Sequence, residues 1–330
     1  MATDTLLRDR LEALVARYDR RWIDSDPLRW PHLYPDPGDQ EVVAVVAATL
    51  AYGRVASIHR SIESALERLG AGLPGASSRN GGPAAAVRPS VAAALPDRFV
   101  GWRHRFTAGE DLAWLLQGVG RAREEAGSLG AYVEAHARGD EPLRAGLIAW
   151  HRLAASVPAA DTPVRRRARA FLLPDPARGA ACKRTLLLAR WCLRPSDGLD
   201  LGLWGASGRL GPRDLLVPLD THVHRIARTL GLTMRKAADW RTAVEVTARL
   251  RRLDPNDPIR YDFALARPGI VGRCRHRHVP EICGACDLAP ACRHGRPREA
   301  RKAPTSVPTI SSAGAPLSSP GLPPGIFHAG

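Results

Sequence analysis

Apolar positions recur along most of this chain at intervals of three and four, the spacing of helices that bury one face. Residues 1–22, MATDTLLRDRLEALVARYDRRW, read as an amphipathic helix. The stretch from Gln40 to Leu69 begins so apolar (EVVAVVAATLAYGR) that its first helix is expected to be buried, with Gly53 ending it and a second helix following. Thr107 and Glu110 have the spacing of a capping box ahead of DLAWLLQGVGRAREEAG. Further helices are predicted at 129–137, 141–155, 180–193, Thr221–Leu230, 239–253 and about 258–266, with Asp254-Pro255-Asn256-Asp257-Pro258 breaking the last two apart. No run alternates as a strand does, and no segment repeats. The pattern predicts an all-α protein.

Two segments fall outside this pattern. Residues 296–330 are rich in Pro, Ser, Gly and Ala, which predicts a disordered tail. Residues of about 70–97 contain GLPGASSRNGGPAAAVRP and read as a surface insertion. No stretch of 18 uncharged apolar residues occurs, so no membrane span is expected. The acidic residues of the first helix leave no apolar signal core, which predicts a cytoplasmic protein, taken here as a monomer. The formal charge is +15, an excess that suits a polyanionic partner. A coding bias that writes Arg in place of Lys is the plainer explanation for the same number.

Four cysteines carry the strongest chemical signal. Cys274, Cys283, Cys286 and Cys292 form C-x8-C-x2-C-x5-C, and a short loop of this kind brings four soft thiolates around one centre. An iron–sulfur cubane, [4Fe–4S], fits one tight pair with two outlying ligands; zinc, the alternative, usually takes two tight pairs. His276 and His278, with the neighbouring arginines, read as a basic surface beside the loop. Cys182 and Cys192 are expected to be buried, inert thiols.

The second signal is Val217-Pro218-Leu219-Asp220-Thr221-His222-Val223-His224-Arg225. Asp220 stands where an extended approach meets an amphipathic helix, so it is placed to cap that helix. A carboxylate held there by backbone N–H groups could also face a cleft and stabilise a cationic sugar, or activate water or an amine. His222 and His224 lie two apart, on different helix faces, with core or phosphate contacts as their expected roles.

This turn, the two helices after it and the four-cysteine loop resemble endonuclease III and the helix-hairpin-helix DNA glycosylases. Their loop commonly reads C-x6-C-x2-C-x5-C and holds a [4Fe–4S] cluster. WIDSDPLRWPH, ATLAYGR, FTAGEDLAWLL, ACKR, GLDLGLW, PLDTHVHR and RYDFAL are similar to the signatures of an uncharacterised bacterial family assigned to that superfamily. The resemblance departs at the L-P-G-V-G run that precedes the catalytic lysine in such enzymes, which Pro174–Thr185 replaces here. Lys183 and Asp220 stand 37 positions apart, about twice the usual spacing, which makes SDGLDLGLWGASGRLGPRDLL an insertion.

The resemblance implies a two-lobed helical fold: residues 1–39 as a helix on the cluster lobe, 40–205 as a six-helix bundle, and 206–295 as the cluster lobe with the Asp220 turn. It implies a DNA partner, with RNA as the alternative, and release of a flipped base by cleavage of its N-glycosidic bond. Asp220 would be the catalytic carboxylate and Lys183 the candidate amine. Tyr52 would fill the gap in the duplex; Arg54, His59, Arg60, Arg178, Arg184, His222 and His224 would contact nucleic acid. The rival expectation is a binding module that keeps fold and cluster without cleaving a bond.

Overall fold

The computed structural model describes residues 3–70, 81–271 and 274–295. The tail read at 296–330 and residues 71–80 of the proposed insertion lie outside the described residues. Helix α1 spans Asp4–Arg17 and is capped by Thr3, whose side chain accepts from the Leu6 N–H; Leu7, Leu11 and Leu14 are its buried stripe. Three short 3-10 turns lead to α2 (Pro37–Thr49), where Asp36 caps and Pro37 supplies a helical φ. Every residue of α2 from Glu41 to Thr49 is buried, as its uninterrupted apolar run predicts. Gly53 has φ +105, a conformation open to glycine, and it separates α2 from α3 (Val55–Arg68).

The segment read as a surface insertion is built into the core where it is described. It forms α4 (Gly82–Ala86), α5 (Pro89–Ala92) and α6 (Leu95–Arg98), with Ala86, Val87, Ala92 and Leu95 buried. Its alanines are small enough to pack against α7 (Gly109–Ala126), and Ala92 accepts a hydrogen bond from Gln117. Composition alone misreads such a segment, because alanine carries too little apolar area to mark a buried face.

The capping box expected at Thr107 does not form: the cap position falls one residue later, at Ala108, which has no side-chain acceptor. Strands β1 (Arg103–His104) and β2 (Thr107–Ala108) form a two-residue antiparallel hairpin, the one sheet among the described residues. Ala108 is the cap position of α7, its N–H donating to Asp111, while the Thr107 hydroxyl turns inward to Tyr52 at 2.6 Å.

The chain continues through α8 (Leu129–Ala135), α9 (Pro142–Ala155), α10 (Pro163–Leu172) and α11 (Lys183–Leu193). After a long irregular connection come α12 (Thr221–Leu230), α13 (Trp240–Arg251), α14 (Asp262–Ile270) and α15 (Pro280–Gly284). Most described residues are helical, as the periodicity predicts. Contacts join Met1–Arg296 into one compact unit. Three packings position the site: α11 lies against α2, α12 against α14, and α1 against α14. Among the described residues no helix is long and apolar enough to cross a membrane.

Candidate active site where two helices begin

Lys183 is the first residue of α11, and the residue before it fixes its direction. Cys182 has φ +46, a left-handed conformation that costs a non-glycine residue of order 1–3 kcal/mol. The fold tolerates that strain because the strap leading to it is tied down: Trp240 donates its backbone N–H to Gly179 at 3.0 Å, and Cys182 is itself buried. Burial pushes the Cys182 thiol up to about 12, so it is inert, and Cys192 is raised for the same reason. From this corner the Lys183 side chain runs along the end of α2 and donates to the Ala51 carbonyl at 3.2 Å.

Asp220 caps α12, its Oδ1 accepting the Val223 N–H at 2.8 Å. Its Oδ2 lies 3.9 Å from the Lys183 Nζ. The two side chains are about one-quarter exposed, enough to meet a ligand while fixed at their other ends. An amine and a carboxylate thus meet across two helix starts that are far apart in sequence.

Both groups line a cleft of about 760 Å³, with Tyr52, His222, Asp262 and Phe263 among its other walls. That volume is in the range of small-ligand sites. Beneath the cleft runs a network that the sequence did not announce. Asp262, the first residue of α14, is buried and accepts from Arg190 at 3.1 Å. Arg190 also contacts Asp200 at 3.1 Å; Asp200 in turn binds Arg194, which reaches Asp257 at 2.9 Å. Burial pushes the Asp262 carboxyl up to about 6 against the pull of Arg190, and Asp220 adds to the rise. The only sequence signal was charge at helix positions that are otherwise apolar, Arg190 in LLLARWCL and Asp262 in RYDFAL. Glu41 is a parallel case on α2: a buried carboxylate that accepts from Gly130 N–H, Leu129 N–H and the Trp204 indole.

Several residues expected to touch nucleic acid are committed elsewhere. Tyr52 lines the cleft, yet its hydroxyl donates to the His104 carbonyl at 2.8 Å and its ring packs among His104, Phe106 and Phe171. These contacts hold it in the wall of the cleft. Arg184 is buried under Tyr52 and Phe171, 5.0 and 4.0 Å from their rings, and binds the Phe171 carbonyl. It packs as a buried cation at the cleft wall, and burial lowers its pKa to about 10. His59 accepts from the Trp30 indole at 2.8 Å, and burial holds it below the usual histidine range. His224 is buried with Nε2 at 3.1 Å from the Arg235 carbonyl. Arg184, His59 and His224 each occupy a helix face that points inward, which residue type alone does not reveal.

Other expectations keep their surface. His222 is exposed on the cleft wall, packed along Gly269 of α14. Arg54 and Arg60 are exposed on α3 and just before it. Arg178 is exposed but lines a neighbouring depression of about 840 Å³ with His151, Arg166 and Arg169. Sequence reasoning missed Phe106 at the tip of the hairpin, 48% exposed next to Arg105 and touching both Tyr52 and Phe171.

The cysteine loop lies beside α12. Arg293 donates its backbone N–H to Thr229 at 3.0 Å, and the His276 imidazole, kept low by burial, also feels Arg225 and His222. The four cysteines are free and partly buried. Val279 N–H points at the Cys283 sulfur and His294 N–H at the Cys292 sulfur, each at 3.4 Å. Among the described residues no three His, Cys, Asp or Glu side chains converge as a metal-binding group.

An amine–carboxylate cleft in a helical protein defines a type of site, and comparison with known proteins defines the family. The family described as "Protein of unknown function (DUF2400)" matches residues 26–271, and the chain belongs to it. This corrects the assignment to the helix-hairpin-helix glycosylases, because no glycosylase family matches the chain. The motifs behind that assignment are a helix cap and a cysteine loop, short devices that unrelated helical proteins can share, and the loop at 274–292 lies beyond the matched span. No curated protein and no solved structure matches the chain.

Proposed function

We propose that this protein acts on DNA, receiving a nucleotide turned out of the duplex in the 760 Å³ cleft and cleaving its N-glycosidic bond. The observation that carries the reading is the 3.9 Å approach of Lys183 Nζ to Asp220 Oδ2 at the cleft wall. Asp220 stabilises positive charge that develops at the sugar C1′, and Lys183, once it has given up a proton, bonds to that carbon. Arg105 packs its side chain against Gly53 of the cleft wall and exposed Arg54 follows that glycine in the chain; each would hold a backbone phosphate. The exposed ring of Phe106, and not Tyr52, is the wedge available to fill the vacated place in the stack. The net charge of +15 supports a polyanionic partner.

A binding-only reading draws on the Lys183 contact with the Ala51 carbonyl, which suits a permanent cation that anchors phosphate. Borohydride trapping on duplex DNA with a single abasic site decides between them. The expected result is a covalent adduct with the intact protein and none with Lys183→Ala. DNA binding without any adduct sinks the amine reading; preference for the same sequence as RNA redirects the substrate.

We further propose that Cys274, Cys283, Cys286 and Cys292 hold a [4Fe–4S] cluster. Four thiols in one loop, two of them receiving backbone N–H groups, suit thiolate ligands of iron. Such a centre would supply a rigid frame for the loop beside α12. Protein purified without oxygen is expected to be brown, with broad absorbance near about 400 nm that is lost in Cys286→Ser. Colourless protein carrying one zinc per chain would replace the cluster with the zinc alternative.

A further inference from the structure

The geometry points to Asp262 as the general acid of this cleft, the group that protonates a departing nucleobase. The inference rests on the glycosidic reading above and adds a residue and a leaving-group class to it. Asp262 lines the cleft and is buried, and its two oxygens differ. Oδ2 is fixed by Arg190 at 3.1 Å, whereas Oδ1 is buried with no hydrogen-bond partner. An unmatched buried oxygen is costly and calls for a reason, and a ligand that reaches the floor of the cleft would supply its partner.

Two carboxylates at one site take separate roles when their surroundings differ. Asp220 is tied to a backbone N–H and stands beside an ammonium, the setting of an ionised stabiliser. Asp262 sits deeper, where burial favours its protonated form and raises it to about 6. The charged groups around it are Arg190 and Lys183 from α11, Asp220 at the start of α12, and Arg267 on its own helix, while His222 lies further along α14 against Gly269. Asp200 and Asp26 act on it through Arg190 and Arg267, and Glu12 of α1 is occupied by Arg260 and Tyr261.

The step balances. The C1′–N bond breaks, its electron pair goes to the base, and the Oδ1 proton of Asp262 is transferred to the base as it leaves. Lys183 or water bonds to C1′ and sheds one proton, which returns Asp262 to the acid form. The leaving group is therefore a neutral base, one that gains from protonation; a base already cationic by ring methylation needs no such help.

The test uses the full-length protein and three duplex DNA probes: one with an abasic site, one deaminated with nitrous acid, and one methylated at purine ring nitrogens. Released bases are measured by mass spectrometry and adducts by borohydride trapping. Asp262→Asn is expected to slow release of neutral deaminated bases by about 100-fold or more while sparing release of cationic methylated bases and trapping at the abasic site. In the intact protein, the rate of neutral-base release divided by the rate of abasic-site trapping, which needs the same free amine but no acid, is expected to fall about tenfold per pH unit above about 6. Should Asp262→Asn fail to fold, that pH profile decides alone, and a flat profile to pH 8 overturns the assignment. Equal release by both proteins overturns it, as does trapping with no release of any neutral base. Absence of both trapping and release sinks the glycosidic reading itself, an outcome distinct from these.

Discussion

Asp220→Asn is expected to slow adduct formation on abasic DNA by about 10²–10³-fold while leaving thermal unfolding nearly unchanged. The two halves of this expectation come from the two oxygens. Oδ1 accepts the Val223 N–H, a task an asparagine oxygen performs about as well, so the cap on α12 survives. Oδ2 faces Lys183 Nζ, and only a carboxylate brings negative charge to the place where a sugar would become cationic. The amine itself remains, so residual trapping is expected, in contrast with Lys183→Ala. Measuring single-turnover trapping alongside the unfolding midpoint separates the roles. An unchanged rate would reduce Asp220 to a helix cap, and a large fall in the midpoint would mean that the rate reports damaged structure.

Asp200→Ala carries the largest expected loss of stability, about 3–5 kcal/mol in urea denaturation. Asp200 is wholly buried between Arg190 and Arg194, so its removal leaves two guanidinium groups short of their shared anion in a dry setting. Those arginines retain Asp262 and Asp257, which bounds the damage. Asp200→Asn, which keeps the shape and one acceptor, is expected to cost less. A change below about 1 kcal/mol for Asp200→Ala would show that solvent reaches the network and that the floor of the cleft is not the rigid base argued above. Because Arg190 also holds Asp262, the alanine variant is expected to disturb release of neutral bases as well.

Most of the helices that were legible bury a stripe whose spacing the sequence displays, whereas α4–α6, α10 and α15 were not predicted. α12 shows it best, with Asp220 as cap, Val223, Ile226 and Leu230 as its face, and Gly231 as its end. The spacing of the four cysteines marked them as candidate ligands, and that role is a proposal. Reading became unreliable where identity says little about direction. Arg184, His59 and His224 looked like phosphate ligands by type, yet each sits on an inward face and binds a neighbour there. The alanine-rich segment after Gly81 looked like a loop because small side chains pack by closeness and not by area. The family was misread for a related reason: a cap and a cysteine loop state a local requirement of chemistry, and relatedness lies in the whole span from 26 to 271.

The sequence by itself determined the all-helical class, most helix positions, and Lys183 and Asp220 as candidates. Their meeting was decided only by the tertiary structure. They stand 37 positions apart, and no local rule specifies how the irregular chain between α11 and α12 returns. It returns because Asp200 neutralises Arg190 and Arg194 while Leu201, Trp204, Leu215 and Val217 are buried along the way. The same folding places Asp262 beneath the pair, a neighbourhood set by long-range packing of α14 on α12 and α1. Periodicity is a property of near neighbours, whereas a site of this kind is a property of which buried faces find each other.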